Sequence, residues 1–362
     1  MICFCWDGFP QYAARCILAF VTSTEERVVV VATHPDVPIK GMKEACGCEV
    51  FWIERGEKRS LKDITGELPR CVFLGGWNIP AFICFRDEVR GSGGRSIAMC
   101  DNNWILTPIE LGRLGWWRTC VKELLKSIRF RIKLISKYDG FFVPGHSGVR
   151  LLRFYGVPRE KIAMGLYSAD ATLFTKGEPL MKRDRKMIYV GQFIERKNVR
   201  RLIRAFAKAN VKKEWTLDMY GSGPLKDEMV GVAKRIGGCA IHIHDFLQPE
   251  ALSAKYRAAR IFCLPSLLEH WGLVVHEAAL SGCVLLLGNR TGAADDLLGC
   301  NNGRQFNSHS MSDMIQVFAE AMGRKTDEEL MAAQKESLEL AKRVNLQRFV
   351  DGVRFLCGNR VD

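Results

Sequence analysis

The sequence predicts an α/β protein built as two Rossmann-like domains facing a cleft, and three observations predict it. A chain of 362 residues exceeds one typical core and suits two domains of ordinary size. Short apolar runs that end in Gly, Asp, Thr or His alternate with amphipathic stretches, the pattern of parallel strands covered on both faces. The pattern then pauses at a charged stretch with Gly and Pro, "TKGEPLMKRDRK", and starts again.

Taken in order, "ICFCW", "RVVVVAT", "CEVFWI", "CVFLGG", "SIAMC" and "GFFVPG" read as strands of an N-terminal domain over residues 1–167. Residues 168–185 read as a linker. A second domain over 186–340 has strands "KMIYVG", "WTLDMYG", "AIHIHDF", "IFCLP" and "CVLLLG". Its helices are "VRRLIRAFAKA", "PLKDEMVGVAKRIG", "PEALSAKYRAA" and "VVHEAALSG". Residues 341–362 are expected to be a helical segment that packs back on the first domain.

Composition narrows the classes. An apolar fraction of 48% with 26% charged residues is globular, not disordered. No apolar run reaches the ~18 to 20 residues of a membrane span. The start, "MICFCWDGFPQYAARC", lacks the basic opening and long apolar centre of a signal peptide, so it reads as a first strand in a cytoplasmic protein. The 14 cysteines are scattered in apolar runs and read as reduced, buried small hydrophobes. Cys3 with Cys5 and Cys46 with Cys48 form C-x-C pairs, but no histidine cluster accompanies them, and no metal is expected.

The net charge of +13 asks for an anionic partner, whether a small ligand, nucleic acid or membrane. About half of the excess lies in residues 113–137, where Arg113, Arg118, Lys122, Lys126, Arg129, Arg131, Lys133 and Lys137 face one acid, Glu123. With Trp116 and Trp117 and apolar residues at helical spacing, this segment suits an anionic membrane surface, at the inner face of the plasma membrane. A packed helix with a solvated basic face is the competing reading.

Ligands of open parallel sheets bind beyond the carboxyl ends of the strands. Gly191 ends one strand of the second domain, and Arg196 and Lys197 follow where a helix start favours anions. A guanidinium fork and a point-charge ammonium together suit a diphosphate. Gly221 and Ser222 open the tight turn "GSGP". Phe246 and Leu247 follow the strand that carries His242 and His244, which read as sheet residues. In "EHWGLVVHEAALSG", Glu269 falls in a loop, Gly272 turns the chain, and Glu277 lies one turn inside a helix. Helical side chains lean toward the N-terminus, so Glu277 reaches back to accept a vicinal diol. A phosphate would sit on the N–H groups of Gly272, Leu273 and Val274, with Glu269 beside another hydroxyl-rich group. The plainer reading leaves Glu277 as a helix-dipole acid and Glu269 on the surface.

"YVGQFIERKNVRRLIRAF", "LDMYGSGPL" and "PSLLEHWGLVVHEAALSGCVLL" together resemble the retaining glycosyltransferases of family 4, which have the GT-B fold. The family's E-x7-E pattern stands here as Glu269 to Glu277. The resemblance covers residues 186 to 300 well. It implies a nucleotide-diphosphate sugar donor, with Arg196 and Lys197 on the diphosphate, Glu277 on the ribose, Glu269 facing the transferred sugar, and Phe246 and Leu247 at the base. It also implies retention of anomeric configuration, with no cofactor or metal. His270 and Trp271 depart from the usual small residue and Phe. The family's first-domain histidine after the fourth strand is missing, and Asp101 takes that place as a candidate catalytic residue. The glycine-rich loop after the first strand is reduced to "WDGFPQY", with Gly8 against the diphosphate.

The expected function is transfer of a sugar to a saccharide or lipid-linked acceptor, in cell-envelope or exopolysaccharide synthesis. A nucleotide-sugar epimerase of the same fold, or a basic scaffold or nucleic-acid-binding protein, stands as the alternative; no nucleic-acid motif favours the latter.

Overall fold

A computed structural model describes residues 1–34, 45–76, 79–101, 125, 128, 132, 135–212, 214–236, 240–323 and 326–358. The chain divides into two compact units. The first comprises residues 1–106, 110–168 and 345–362; the second comprises 107–109 and 169–344.

The first unit holds strands β1 (Ile2–Trp6), β2 (Val28–Thr33), β3 (Glu49–Ile53), β4 (Cys71–Gly75), β5 (Arg95–Met99), β6 (Gly140–Val143) and β7 (Ile162–Met164). They form one sheet in the order β3-β2-β1-β4-β5-β6-β7, and every pair is parallel. Its described helices are α1 (Gln11–Val21), α2 (Leu61–Thr65), α3 (Pro80–Gly91) and α4 (His146–Phe154). The central strands are apolar along their whole length because both faces are covered, as β1 and β2 show with every residue buried.

The second unit repeats the plan with β8 (Lys186–Val190), β9 (Thr216–Tyr220), β10 (Ile241–His244), β11 (Ile261–Leu264), β12 (Val284–Gly288) and β13 (Gly303–Phe306). Their order is β10-β9-β8-β11-β12-β13, again parallel throughout. The helices are α5 (Val199–Ala209), α6 (Lys226–Ile236), α7 (Pro249–Ala258), α8 (Leu273–Leu280), α9 (Ala294–Leu297), α10 (Met311–Met322) and α11 (Asp327–Lys342). A last helix, α12 (Leu346–Leu356), belongs to the first unit. Its Phe349 lies 5.9 Å from the Phe4 ring and 5.2 Å from Phe142. Gly352 permits that approach, since a Cβ there would stand 2.6 Å from the Phe142 ring.

Both sheets reverse their strand order beside the first strand of the unit, between β1 and β4 and between β8 and β11. Loops leaving two such strands diverge and open a crevice. The two short strands β7 and β13 escape the sequence pattern; they have three and four residues, and "GRQF" of β13 is half exposed. Residues 169–185 lie within the second unit. Arg183 fixes that stretch, buried and donating to the carbonyls of Glu178, Ala259 and Ser281 at 2.7, 2.9 and 2.7 Å.

Candidate functional site

The crevice at β8 and β11 is built from two loops that touch through glycine. Gly191 N–H donates to Tyr220 O at 3.0 Å, Phe193 N–H to Ser222 O at 2.7 Å, and Leu225 N–H to Phe193 O at 3.0 Å. A Cβ on Gly221 would fall 1.9 Å from the carbonyl oxygen of Gly191, so only glycine lets the loops after β8 and β9 meet. Ser222 stays exposed at the edge of this turn.

Past Gly191 the chain makes one short turn, Glu195–Lys197, and α5 begins. Lys197 is buried there, and its ammonium donates to Glu269 Oε2, from the loop after β11. Ser266 Oγ donates to the same oxygen at 3.0 Å. Arg196 donates to Leu268 O at 2.7 Å and stands 3.8 Å from Glu269 Oε1. Arg196, Lys197 and Glu269 are thus one cluster across the switch point. Glu269 is itself held by its backbone: its N–H donates to Arg290 O at 3.0 Å, and its carbonyl accepts from Gly292 at 3.1 Å.

Asn198 completes the frame. It has φ of 58°, the one positive value of a non-glycine among the described residues, and Asn tolerates that region better than most. Its amide donates to Pro265 O at 3.2 Å and Ser308 O at 2.9 Å, tying the loops after β8, β11 and β13. Nothing in the sequence marked Asn198 or Ser266 apart from their neighbours.

Gly272, with φ of 91°, turns the chain into α8. The amides of Leu273 and Val274 fall in the first turn, where a helix has no carbonyl of its own to offer them. Glu277 is half-buried one turn in and accepts a hydrogen bond from the Tyr256 hydroxyl at 3.0 Å. Burial pushes its carboxyl from 4.5 up to about 7, against the opposing pull of that bond. Tyr256 is a partner that sequence reasoning missed, because it lies on α7, 21 residues earlier.

The remaining predicted residues are spread more widely. Phe246 is exposed and Leu247 half-buried, on the loop after the edge strand β10. Trp271 is buried with its ring 6.0 Å from His276, so the departure from Phe is filled by packing. In the first unit, Gly8 has φ of 64° and donates to Thr33 Oγ1 at 2.9 Å. Asp101 follows β5, and its charge acts with burial to raise the hydroxyl pKa of both Tyr12 and Tyr167. Of the basic segment 113–137, most residues lie outside the described ones; Leu125, Ile128 and Ile132 are described and exposed. Among the described residues no group of three or more His, Cys, Asp or Glu could hold a metal ion. The twelve described cysteines are free. No helix of the described residues is long and apolar enough to cross a membrane.

Residues 173–337 match the family model of glycosyl transferases group 1. The chain is 30% identical over 101 residues to an uncharacterized glycosyltransferase of Methanocaldococcus jannaschii, covering 27% of this chain and 26% of that protein. It is 23% identical over 199 residues to the MMP alpha-(1->4)-mannosyltransferase of Mycolicibacterium hassiacum, covering 53% and 47%. The chain therefore matches about half or less of these relatives' length. The structure is similar to Anabaena HepE in complex with UDP, with a TM-score of 0.72, 12% identity and 97% of both chains covered. It is also similar to sucrose-phosphate synthase from Thermosynechococcus elongatus, with a TM-score of 0.70, 13% identity and 97% and 96% covered. The fold is that of GT-B glycosyltransferases, with two parallel-sheet α/β units.

Proposed function

We propose that the protein is a glycosyltransferase that takes a sugar from a nucleotide-diphosphate donor seated in the loops of its second unit. One observation carries this reading: Arg196, Lys197 and Glu269 converge across the β8/β11 switch point, on the loop that leads into α8, and the half-buried acid Glu277 lies one turn inside that helix. In this reading Arg196, Lys197 and the first-turn amides of α8 stabilise charge on the departing diphosphate, in place from the start and with no reorganisation. Glu277 accepts the ribose hydroxyls. Glu269 faces the transferred sugar, and its grip on Lys197 holds the ammonium toward the phosphate.

Transfer proceeds with retention. The bond from the anomeric carbon to the diphosphate oxygen breaks, the acceptor oxygen bonds on the same face, and its proton passes to the leaving phosphate. Asp101 is the candidate catalytic side chain of the first unit. No metal or other cofactor is invoked, since fixed cations supply the positive charge. UDP is the first nucleotide to test, because the structurally similar Anabaena HepE has it bound.

The test is thermal shift with UDP, GDP and ADP, alongside RNA. A nucleoside diphosphate should raise Tm by a few degrees at about 100 times its Kd, equivalent to ~2.7 kcal/mol. Glu277→Ala should remove that shift. Stabilisation by RNA alone would overturn the reading.

The acceptor is a saccharide or a lipid-linked glycan of the cell envelope or an exopolysaccharide, met at an anionic membrane surface. Leu125, Ile128 and Ile132, spaced by three and four residues, expose 60%, 46% and 60% of their surface, in the segment richest in Lys and Arg. Replacing all three by Ser should cut co-sedimentation with anionic phosphatidylglycerol vesicles severalfold. Equal sedimentation would remove the membrane from this reading.

A further inference from the structure

His276 precedes the proposed ribose acid on α8, and the successive positions of a helix point about 100° apart. Glu277 meets the Tyr256 hydroxyl, while the imidazole of His276 is wholly buried on the other side. Its Nδ1 accepts the Ala169 N–H at 3.0 Å, so Nε2 carries the proton and donates to Ala341 O at 3.0 Å. Burial lowers its pKa to about 4, which keeps this neutral tautomer in place at physiological pH.

Those two partners are not ordinary core positions. Ala169 is the residue with which the chain enters the second unit after Ser168, and Ala341 lies three residues before it leaves at Val344. One ring on the donor helix therefore bonds both crossing segments that lie among the described residues. A second route joins the first of these segments to Glu277. Asp170 Oδ1 accepts from the amides of Thr172 and Leu173 at 2.9 and 3.2 Å and shapes a turn that presents Phe174. The Phe174 ring packs edge-on against Tyr256 at 5.8 Å, and the Tyr256 hydroxyl donates to Glu277.

We propose that His276 is a positioning residue that links occupancy of the donor loops to the order of two described segments, near residues 168–174 and 339–345, at which the chain passes between the units. The inference rests on the donor reading of α8 given above. Without the ring, α8 loses its hydrogen bonds to Ala169 and Ala341, and the Phe174–Tyr256 route still reaches residues 168–174. A ligand that immobilises α8 should then protect one crossing and not the other, according to which nitrogen is replaced.

Hydrogen exchange of the full chain, with and without UDP, tests this. In the wild type UDP should slow exchange in the loops 265–277 and in both crossings, by about 3- to 10-fold in the crossings, the range of one hydrogen bond. His276→Asn keeps an acceptor toward Ala169 and should lose the effect at 339–345. His276→Gln keeps a donor toward Ala341 and should lose it at 168–174. Tyr256→Phe, which leaves the imidazole untouched, should weaken the effect at 168–174 alone and covers the case in which a His276 variant fails to fold. Protection of both crossings in every variant, equal to wild type, overturns the inference while leaving the donor reading standing. Absence of UDP protection in wild-type loops 265–277 overturns the donor reading, and this inference with it.

Discussion

Each unit places a cation and a carboxylate near a glycine-bearing loop at the carboxyl end of its sheet, and the two pairs behave differently. In the second unit Lys197 and Glu269 leave about 10% of their side chains exposed. In the first, Arg55 bonds Asp7 through Nε at 2.9 Å and Nη2 at 3.3 Å, with 65% and 34% exposed. A buried pair is an expensive way to gain stability, since desolvation offsets most of the attraction. An exposed bidentate pair costs little and contributes little. Where a fold keeps the expensive arrangement at a switch point, ligand chemistry is the simplest reason, and the exposed pair calls for none.

The largest expected effect breaks the buried pair. Lys197→Ala takes the ammonium from Glu269 Oε2, which keeps the Ser266 hydroxyl, while Arg196 stands 3.8 Å from the other oxygen. Stability should fall by about 3 kcal/mol, read by urea unfolding, because a buried carboxylate loses its ammonium partner. Turnover should fall about 100-fold, as expected for loss of one fixed charge on the leaving group. Lys197→Met with Glu269→Gln sharpens the point: stability should recover while turnover stays low. Recovery of both would assign the pair to structure alone.

The same contrast explains what the sequence disclosed. Strands β8, β9, β11 and β12 were legible because burial on both faces makes them mostly apolar runs, and the loops after them carry Gly, Arg, Lys and Glu at places a backbone rule singles out. The site-bearing residues Arg196, Lys197, Glu269 and Glu277 were legible as types, but their pairing was not. Lys197 meets Glu269 across 72 residues of sequence, and no local pattern encodes such a contact. Asn198, Ser266, Tyr256 and His276 escaped for the same reason, since each acts through a partner on another loop or helix. The first unit was harder still. Asp101 acts through its charge on the buried Tyr12 and Tyr167 hydroxyls, an arrangement that joins three distant positions and carries no periodic signal.

A middle-sized effect concerns Glu277, which separates affinity from stability by pH. Its carboxyl is raised from 4.5 to about 7 by burial, so its contribution to the ligand-free fold is fully present below about 4.5 and is lost as pH rises through about 7. A ribose diol prefers the carboxylate, so donor affinity runs the other way and falls as pH drops below 7. Wild-type affinity for UDP should weaken about tenfold more between pH 8 and pH 6 than that of Glu277→Gln, which also subtracts protonation of the diphosphate itself. Calorimetry in two buffers of different ionisation enthalpy should show a proton released on binding near pH 6.5. Parallel pH profiles for the two proteins would remove Glu277 from the ribose.

The smallest effect returns to the exposed pair. Arg55→Ala removes both bonds to Asp7, yet Asp7 Oδ1 keeps the Thr33 hydroxyl at 2.7 Å, and Thr33 Oγ1 keeps the Gly8 N–H at 2.9 Å. The turn after β1 is therefore held without the guanidinium. Unfolding free energy should change by no more than about 0.5 kcal/mol, and by less at 0.5 M salt, where exposed charges are screened. UDP affinity should stay within about twofold of wild type, since that change is worth only ~0.4 kcal/mol. A loss of turnover at unchanged stability and UDP affinity would give the first unit's strand-end loop a part in the acceptor half of the reaction, and the contrast between the two pairs would then lie in which substrate each meets.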